Sequence, residues 1–176
     1  LDMLFYYIMM LARLKIIMKQ LCFFKKSADK RVVSAMFNYG IFLLKGIGCE
    51  INIDKSIRYY KMAAYKGHKG AMFNYGTLML EKDKNEGTFY IKKATDLDLI
   101  EAKFNYGMML FKGEYADINK EEACHYLEDA ADKDQINAFH NYGLMLFRGE
   151  GMPKDKAKGS KYLQRFREIR DKNKSK

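Results

Sequence analysis

The chain has 176 residues, 32 basic and 22 acidic, and its net charge of +10 is concentrated at the two ends. Residues 1–30 carry +4, residues 31–153 sum to minus 1, and residues 154–176 carry +7. A protein that tracks a phosphate backbone needs a basic stripe through its body, so nucleic acid is not an expected partner.

Residues 1–22 open on Leu1 rather than Met, which reads as the start of a piece of a longer product. Met3 to Ala12 is apolar throughout, but Arg13, Lys15 and Lys19 come directly after it. Ten apolar residues are half of the roughly 20 that span a bilayer, and a secretory signal would begin with basic residues. A membrane partner is therefore not expected. The first reading is a helix packed on the first repeat of the chain or on a lost domain. A cut-back membrane or targeting segment and an exposed partner-binding helix are the other two.

From residue 23 the chain repeats itself. The phrase Ala-x-x-Asn-Tyr-Gly begins at Ala35, Ala71, Ala102 and Ala138, at steps of 36, 31 and 36 residues. A second phrase comes after it each time: Tyr59-Tyr60 before Ala63-Ala64, Tyr90-Ile91 before Ala94-Thr95, and Tyr126-Leu127 before Ala130-Ala131. Within each phrase apolar residues fall three or four apart, the period of an amphipathic helix, so every repeat is a pair of helices. Glycines after Lys45, Lys112 and Arg148 mark the turn inside a pair. The second repeat lacks five residues there, hence its shorter step. Gly40, Gly76, Gly107 and Gly143 lie inside helical patterns, where glycine costs about 1 kcal/mol, and close approach of another helix is the expected compensation. Tyr39, Tyr75, Tyr106 and Tyr142 are expected to fill the space between pairs.

These phrases, in this order, resemble the Sel1-like repeat, a relative of the tetratricopeptide repeat. The resemblance covers residues 23–167. Phe23-Phe24 and Ser27-Ala28 stand 36 residues before Tyr59-Tyr60 and Ala63-Ala64, as a half-repeat over 23–34, and Tyr162-Leu163 closes the series. Phe166-Arg167 replaces the alanine pair there, as suits a terminal helix. The resemblance implies an all-α, right-handed solenoid of stacked antiparallel helix pairs, with repeats starting at 35, 71, 102 and 138. Residues 168–176 are left as a basic tail, and the charged end from Arg165 is read as solvated and frayed. It also implies a non-enzymatic adaptor for a protein or peptide partner. The alternative is a substrate-docking or regulatory region of a larger signalling enzyme whose catalytic domain lies outside this chain.

Catalysis, metals and cofactors find no support in the residues. His68, His125, His140, Cys22, Cys49 and Cys124 form no metal-ligand or nucleophile spacing. Cys124 and His125 are neighbours on a predicted helix, so their side chains diverge by about 100°. Asp132-Lys133-Asp134 lacks the glycine and the glutamate of a calcium loop. Three cysteines without repeat-wise pairing point to a reducing compartment, the cytoplasm.

The recognition surface is expected on the first helix of each pair, which in such solenoids lines the concave face. Asn38, Asn74, Asn105 and Asn141 form a ladder there, one per repeat. Asparagine is a poor helix former, so something favours it. Two readings stand open: the amides hold the backbone of an extended peptide, or each ties its helix to the neighbouring repeat. Phe37, Phe73, Phe104 and His140 before the Asn, and Lys45, Lys112 and Arg148 at the helix end, would then set specificity, Glu81 interrupting the basic row. A partly acidic peptide fits that row.

Overall fold

The computed structural model describes residues 2–174; Leu1 and the last two residues of the expected 168–176 tail lie outside them. Among the described residues there are nine helices and no strand. They form two compact units, divided between Leu78 and Met79. The first holds α1 (Asp2–Asp29), α2 (Val33–Lys45), α3 (Ile53–Tyr65) and α4 (Lys69–Met79). The second holds α5 (Lys84–Asp96), α6 (Ile100–Lys112), α7 (Lys120–Asp132), α8 (Ile136–Arg148) and α9 (Lys156–Lys174).

The pairs that lie within one unit, α2–α3, α6–α7 and α8–α9, are antiparallel and built the same way. In α2 and α3, the Asn52 N–H donates to the Leu43 carbonyl at 2.9 Å beside the loop. Farther from it, the Ser56 hydroxyl donates to the Gly40 carbonyl at 2.8 Å. Gly46, Gly113 and Gly149 close α2, α6 and α8 at φ of 65°, 75° and 76°, which only glycine adopts freely. The second helix of each pair starts from a side-chain cap. Asn52, Asp83 and Asn119 accept backbone N–H groups of the first turn, and Asp155 accepts from the Lys158 N–H at 2.8 Å.

The helical glycines mark the crossing points inside the pairs. A Cβ on Gly143 would stand 3.1 Å from the Gly159 carbonyl oxygen, and one on Gly159 only 2.7 Å from that of Gly143. On Gly107 it would meet Leu127 at 3.1 Å and the Ala123 carbonyl oxygen at 3.3 Å, and on Gly40 the Tyr60 ring at 2.7 Å. The partner helix also carries a small residue here: Ser56, Ala123 and Gly159 each lie 16 residues after their glycine, and all three are buried. For Gly40, Gly107 and Gly143 the expected compensation is thus close approach within the pair. The tyrosines serve both seams. As expected they reach the preceding pair, Lys92 of α5 lying 5.8 Å from the Tyr106 ring and Glu128 of α7 accepting from Tyr142. They also pack within their own pair. Tyr39 meets Tyr59 edge-on at 4.8 Å, Tyr106 meets Tyr126 at 5.4 Å, and Tyr142 meets Tyr162 at 5.2 Å.

Within each unit, polar links at the surface join a pair to the helices before it. The Tyr59 hydroxyl donates to Asp29 at 3.2 Å and the Tyr162 hydroxyl to Asp132 at 2.9 Å, each reaching back 30 residues. In the second unit Lys103 bridges Asp98 and Asp129, and Lys133 contacts the same two carboxylates at 2.7 and 3.4 Å. Asp98 itself takes a left-handed conformation, φ 61°, that ends the α5 turn.

The two ends depart from expectation. Only the C-terminal half of α1 packs on the first repeat: Phe24 meets Phe42 at 5.4 Å, Ile17 reaches the Gly48 turn, and Ala28 is buried. Earlier in the helix the side chains from Phe5 to Leu11 stand in the open, Phe5 at 66% and Tyr6 at 76% exposure. Among the described residues no helix is long and apolar enough to cross a membrane. At the other end, α9 continues as helix to Lys174 where a frayed end was expected from Arg165. Arg165 pairs with Asp134 at 2.6 Å and lies over Phe139, and Phe166 lies 4.9 Å from the His140 ring.

Gly159→Ala should lower stability by about 1–3 kcal/mol through overpacking, whereas the same change on an open helix face would raise it by up to about 1 kcal/mol; urea unfolding decides. Hydrogen bonds from Lys103 and Lys133 hold the Asp98 carboxyl down at about 2. Its stabilising charge is therefore complete above the unfolded value, about 3.9, and lost as pH falls through about 2. Asp98→Asn should melt below wild type at neutral pH, by a margin that shrinks in salt and closes as the pH is taken from about 4 to 2.

Candidate functional site

In the first unit the outer faces of α2 and α4 enclose a shallow groove of about 300 Å³. Ile41, Leu44 and Lys45 line it from α2, Phe73, Asn74 and Thr77 from α4, and the buried Tyr60 of α3 lies between them. Three of the residues expected to bind a partner, Lys45, Phe73 and Asn74, are thereby brought together. The walls are apolar, Lys45 and Thr77 are exposed, and Asn74 is half-buried.

Local chemistry explains why α4 sits where it does. His68 precedes the helix, and its Nδ1 accepts the Ala71 N–H at 3.1 Å. Burial lowers the His68 pKa, which favours the neutral ring that such an acceptor needs. Phe37 stacks on that ring at 4.4 Å, and a Cβ on Gly70 would lie 3.2 Å from the Phe37 ring. Phe37, half-buried, thus holds the turn before α4 and does not line the groove.

The asparagines divide into two kinds. Asn74 hydrogen-bonds the Tyr60 hydroxyl, as does Ser56, and burial raises the pKa of that hydroxyl. This amide ties α4 to α3. Asn105 and Asn141 instead donate to carbonyls of their own helices, Glu101 at 2.7 Å and Asn137 at 2.9 Å, the backward bond that short polar side chains make within a helix. Asn38 is half-buried on α2. Phe104 and His140 are half-buried, His140 against Phe166. Lys112 and Arg148 are exposed, each 3.6 Å from a glutamate of the adjoining loop, Glu114 and Glu150.

Cys124 is buried, donates to the Glu150 carbonyl at 3.3 Å, and has its thiol pushed up to about 11 by burial. That is the reverse of what an activated nucleophile requires. Asp132 and Asp134, considered for a calcium loop, accept instead from Tyr162 and Arg165.

Sequence reasoning missed the roles of Tyr60 and His68. Tyr60 is the single tyrosine at its place in the repeat, where Ile91, Leu127 and Leu163 stand in the others, and that substitution is the signal that a polar partner awaits it.

A family model described as the Sel1 repeat matches residues 33–68, 70–99, 100–135 and 138–168. Among solved structures, a Sel1 repeat protein from Oxalobacter formigenes is similar at 21% identity and a TM-score of 0.77, covering 85% of this chain and 61% of its own. A protective antigen of uropathogenic Escherichia coli, c5321, described as displaying an SLR fold, is similar at 19% identity and a TM-score of 0.79, with 85% of this chain and 33% of its own covered. MamA is similar at 18% identity and a TM-score of 0.57, with 89% and 90% covered. The chain thus spans less than two thirds of the first two. No curated protein matches.

Asn74→Ala should cost about 1–3 kcal/mol, because the buried Tyr60 hydroxyl loses a partner. Asn105→Ala and Asn141→Ala should be neutral or stabilise by up to about 0.7 kcal/mol, alanine being the better helix former. Thermal melts of the three single variants check the ordering.

Proposed function

This chain belongs to the Sel1 repeat family, and we propose that it acts as a non-enzymatic interaction module that receives an extended peptide segment of a partner protein on its first-helix face. Repeats of this kind generally serve protein–protein binding. The observation that carries the finer reading is the groove between α2 and α4. At about 300 Å³ it is the size of one or two side chains, at the bottom of the range for small-molecule pockets.

The lining sets the chemistry of the ligand. Ile41, Leu44 and Phe73 accept an apolar side chain. Thr77 and Asn74 sit at its edge, and Lys45 stands exposed at the α2 end. A hydrophobic residue next to an acidic one fits this arrangement, with Lys45 steering the approach. The Asn74 amide, held by Tyr60, is presented in a fixed orientation that costs little to keep on binding. The three cysteines are unpaired, which suits a reducing compartment such as the cytoplasm.

The test is a displayed library of short peptides selected on the wild-type chain and re-measured by fluorescence anisotropy on two variants. Thr77→Arg fills the groove from an exposed position, and Lys45→Glu reverses its charge. The selected peptides should be rich in an apolar–acidic pair and lose at least about tenfold in affinity on Thr77→Arg, with unchanged melting. Lys45→Glu should weaken acidic peptides and spare neutral ones. Peptides that bind both variants as well as wild type contradict the proposal.

A further inference from the structure

We propose that the N-terminal half of α1 seats in the headgroup and acyl boundary of a membrane rich in anionic lipid. Within this one helix two patterns of exposure meet. From Ile17 onward the less exposed positions are Ile17, Leu21, Phe24, Ser27 and Ala28, all on one side of the helix, the single stripe that packs on α2. From Phe5 to Leu11 there is no stripe. Seven consecutive apolar or aromatic side chains are each exposed by at least 39%. At about 100° per residue they cover the whole circumference. A second copy of this chain, or any helix laid alongside, hides one stripe of such a surface and leaves the rest in water. A hydrocarbon phase accommodates all of it.

Charge selects the kind of membrane. Arg13, Lys15, Lys19, Lys25, Lys26, Lys30 and Arg31 come after the apolar run, every one of them exposed, and Asp29 is the only acid between residues 3 and 49. Such a collar next to an apolar segment is drawn to an anionic leaflet, each cation near the surface adding roughly fivefold in affinity. Long basic side chains lay their stems along the acyl boundary while the charged ends stay among headgroups. Tyr6 and Tyr7, 76% and 54% exposed, are residues that favour that boundary.

The geometry is that of a helix lying in one face rather than crossing. The apolar run from Met3 to Ala12 is about 15 Å long, half of the hydrocarbon thickness. Held within one leaflet, the run sinks its whole circumference below the headgroups while the Arg13 charge beside it stays at headgroup level and away from the bilayer centre, where a charge is costly. The segment makes none of the contacts that hold α2 and α3 together, so it can be altered without unfolding the repeats.

The experiment is co-sedimentation of the full chain with vesicles of phosphatidylcholine alone and of phosphatidylcholine with phosphatidylserine at about 3:1. The chain has no tryptophan, so Tyr7→Trp supplies a single indole that can be excited apart from the tyrosines. The expected results are binding to the anionic vesicles, a blue shift of that fluorophore, and release by salt. The triple change Phe5→Ser, Ile8→Ser, Leu11→Ser should abolish binding with the melting curve unchanged. Arg13→Gln with Lys15→Gln should weaken it at least about tenfold. The proposal is overturned if the chain stays in the supernatant with both vesicles, or if the triple variant sediments like wild type. It is overturned equally if sedimentation equilibrium shows a dimer that the triple variant dissolves while neither protein binds lipid.

Discussion

Everything in this fold hangs on how closely the two helices of a pair can approach. At Gly143 and Gly159 the backbones themselves are in contact, and at Gly107 and Gly40 the space that a side chain would take is filled by Leu127 and Tyr60. Removing a Cβ at the crossing lets large side chains on either side close over it, so that Tyr142, Phe139 and Leu127 are almost wholly buried. The hydrophobic burial that results outweighs the poor helix propensity of glycine, because one fully buried large side chain is worth about 1.5–3 kcal/mol against about 1 kcal/mol for the glycine. In the first unit this packing leaves the groove between α2 and α4, with Tyr60 at its floor.

Polar contacts add register to this packing. In the second unit the buried Tyr106 lies between Lys92, 5.8 Å from its ring, and Glu122. One repeat on, the buried Tyr142 lies between Glu128 and Lys158, with the signs exchanged. Lys158 and Glu128 are 2.7 Å apart. Burial would raise the Glu128 carboxyl, but the hydrogen bonds from Lys158 and Tyr142 hold it below its ordinary range. Equivalent positions thus carry opposite charges while keeping a complementary pair around the tyrosine. The tyrosine, whose own pKa is raised first by burial and then by Glu128, stays a protonated donor. Both charges must be chosen together, since a like pair at either tyrosine would repel across a partly buried gap.

The sequence revealed the fold in detail because its determinants are local and repeated. Period, helix pairs, closing glycines and the glycine crossings could all be read from residue types recurring at fixed distances. What it hid is what does not repeat. The exposure of Phe5 to Leu11 depends on which elements lie nearby, and no pattern within the segment states that. The direction of an asparagine amide depends on its neighbours: Asn74 meets a tyrosine hydroxyl, while Asn105 and Asn141 turn to their own helices. Identical letters in four copies therefore concealed two different jobs. Aromatic residues in one register position diverged likewise, Phe37 locking a turn and Phe73 lining a groove. The residue set expected to bind a partner was drawn from a register, and the structure gathers Lys45, Phe73 and Asn74 of it at one place.

Backbone hydrogen exchange, followed by mass spectrometry on the intact chain, tests most directly whether the small-residue crossings hold each unit together. The account predicts that the slowest amides in the first unit fall in residues 39–43 and 56–60, and in the second unit in residues 142–146 and 159–163. Residues 3–16 of α1 should exchange orders of magnitude faster, with few buried contacts to protect them. Crossing segments that open as readily as the helix ends, with the slowest exchange elsewhere, would contradict it.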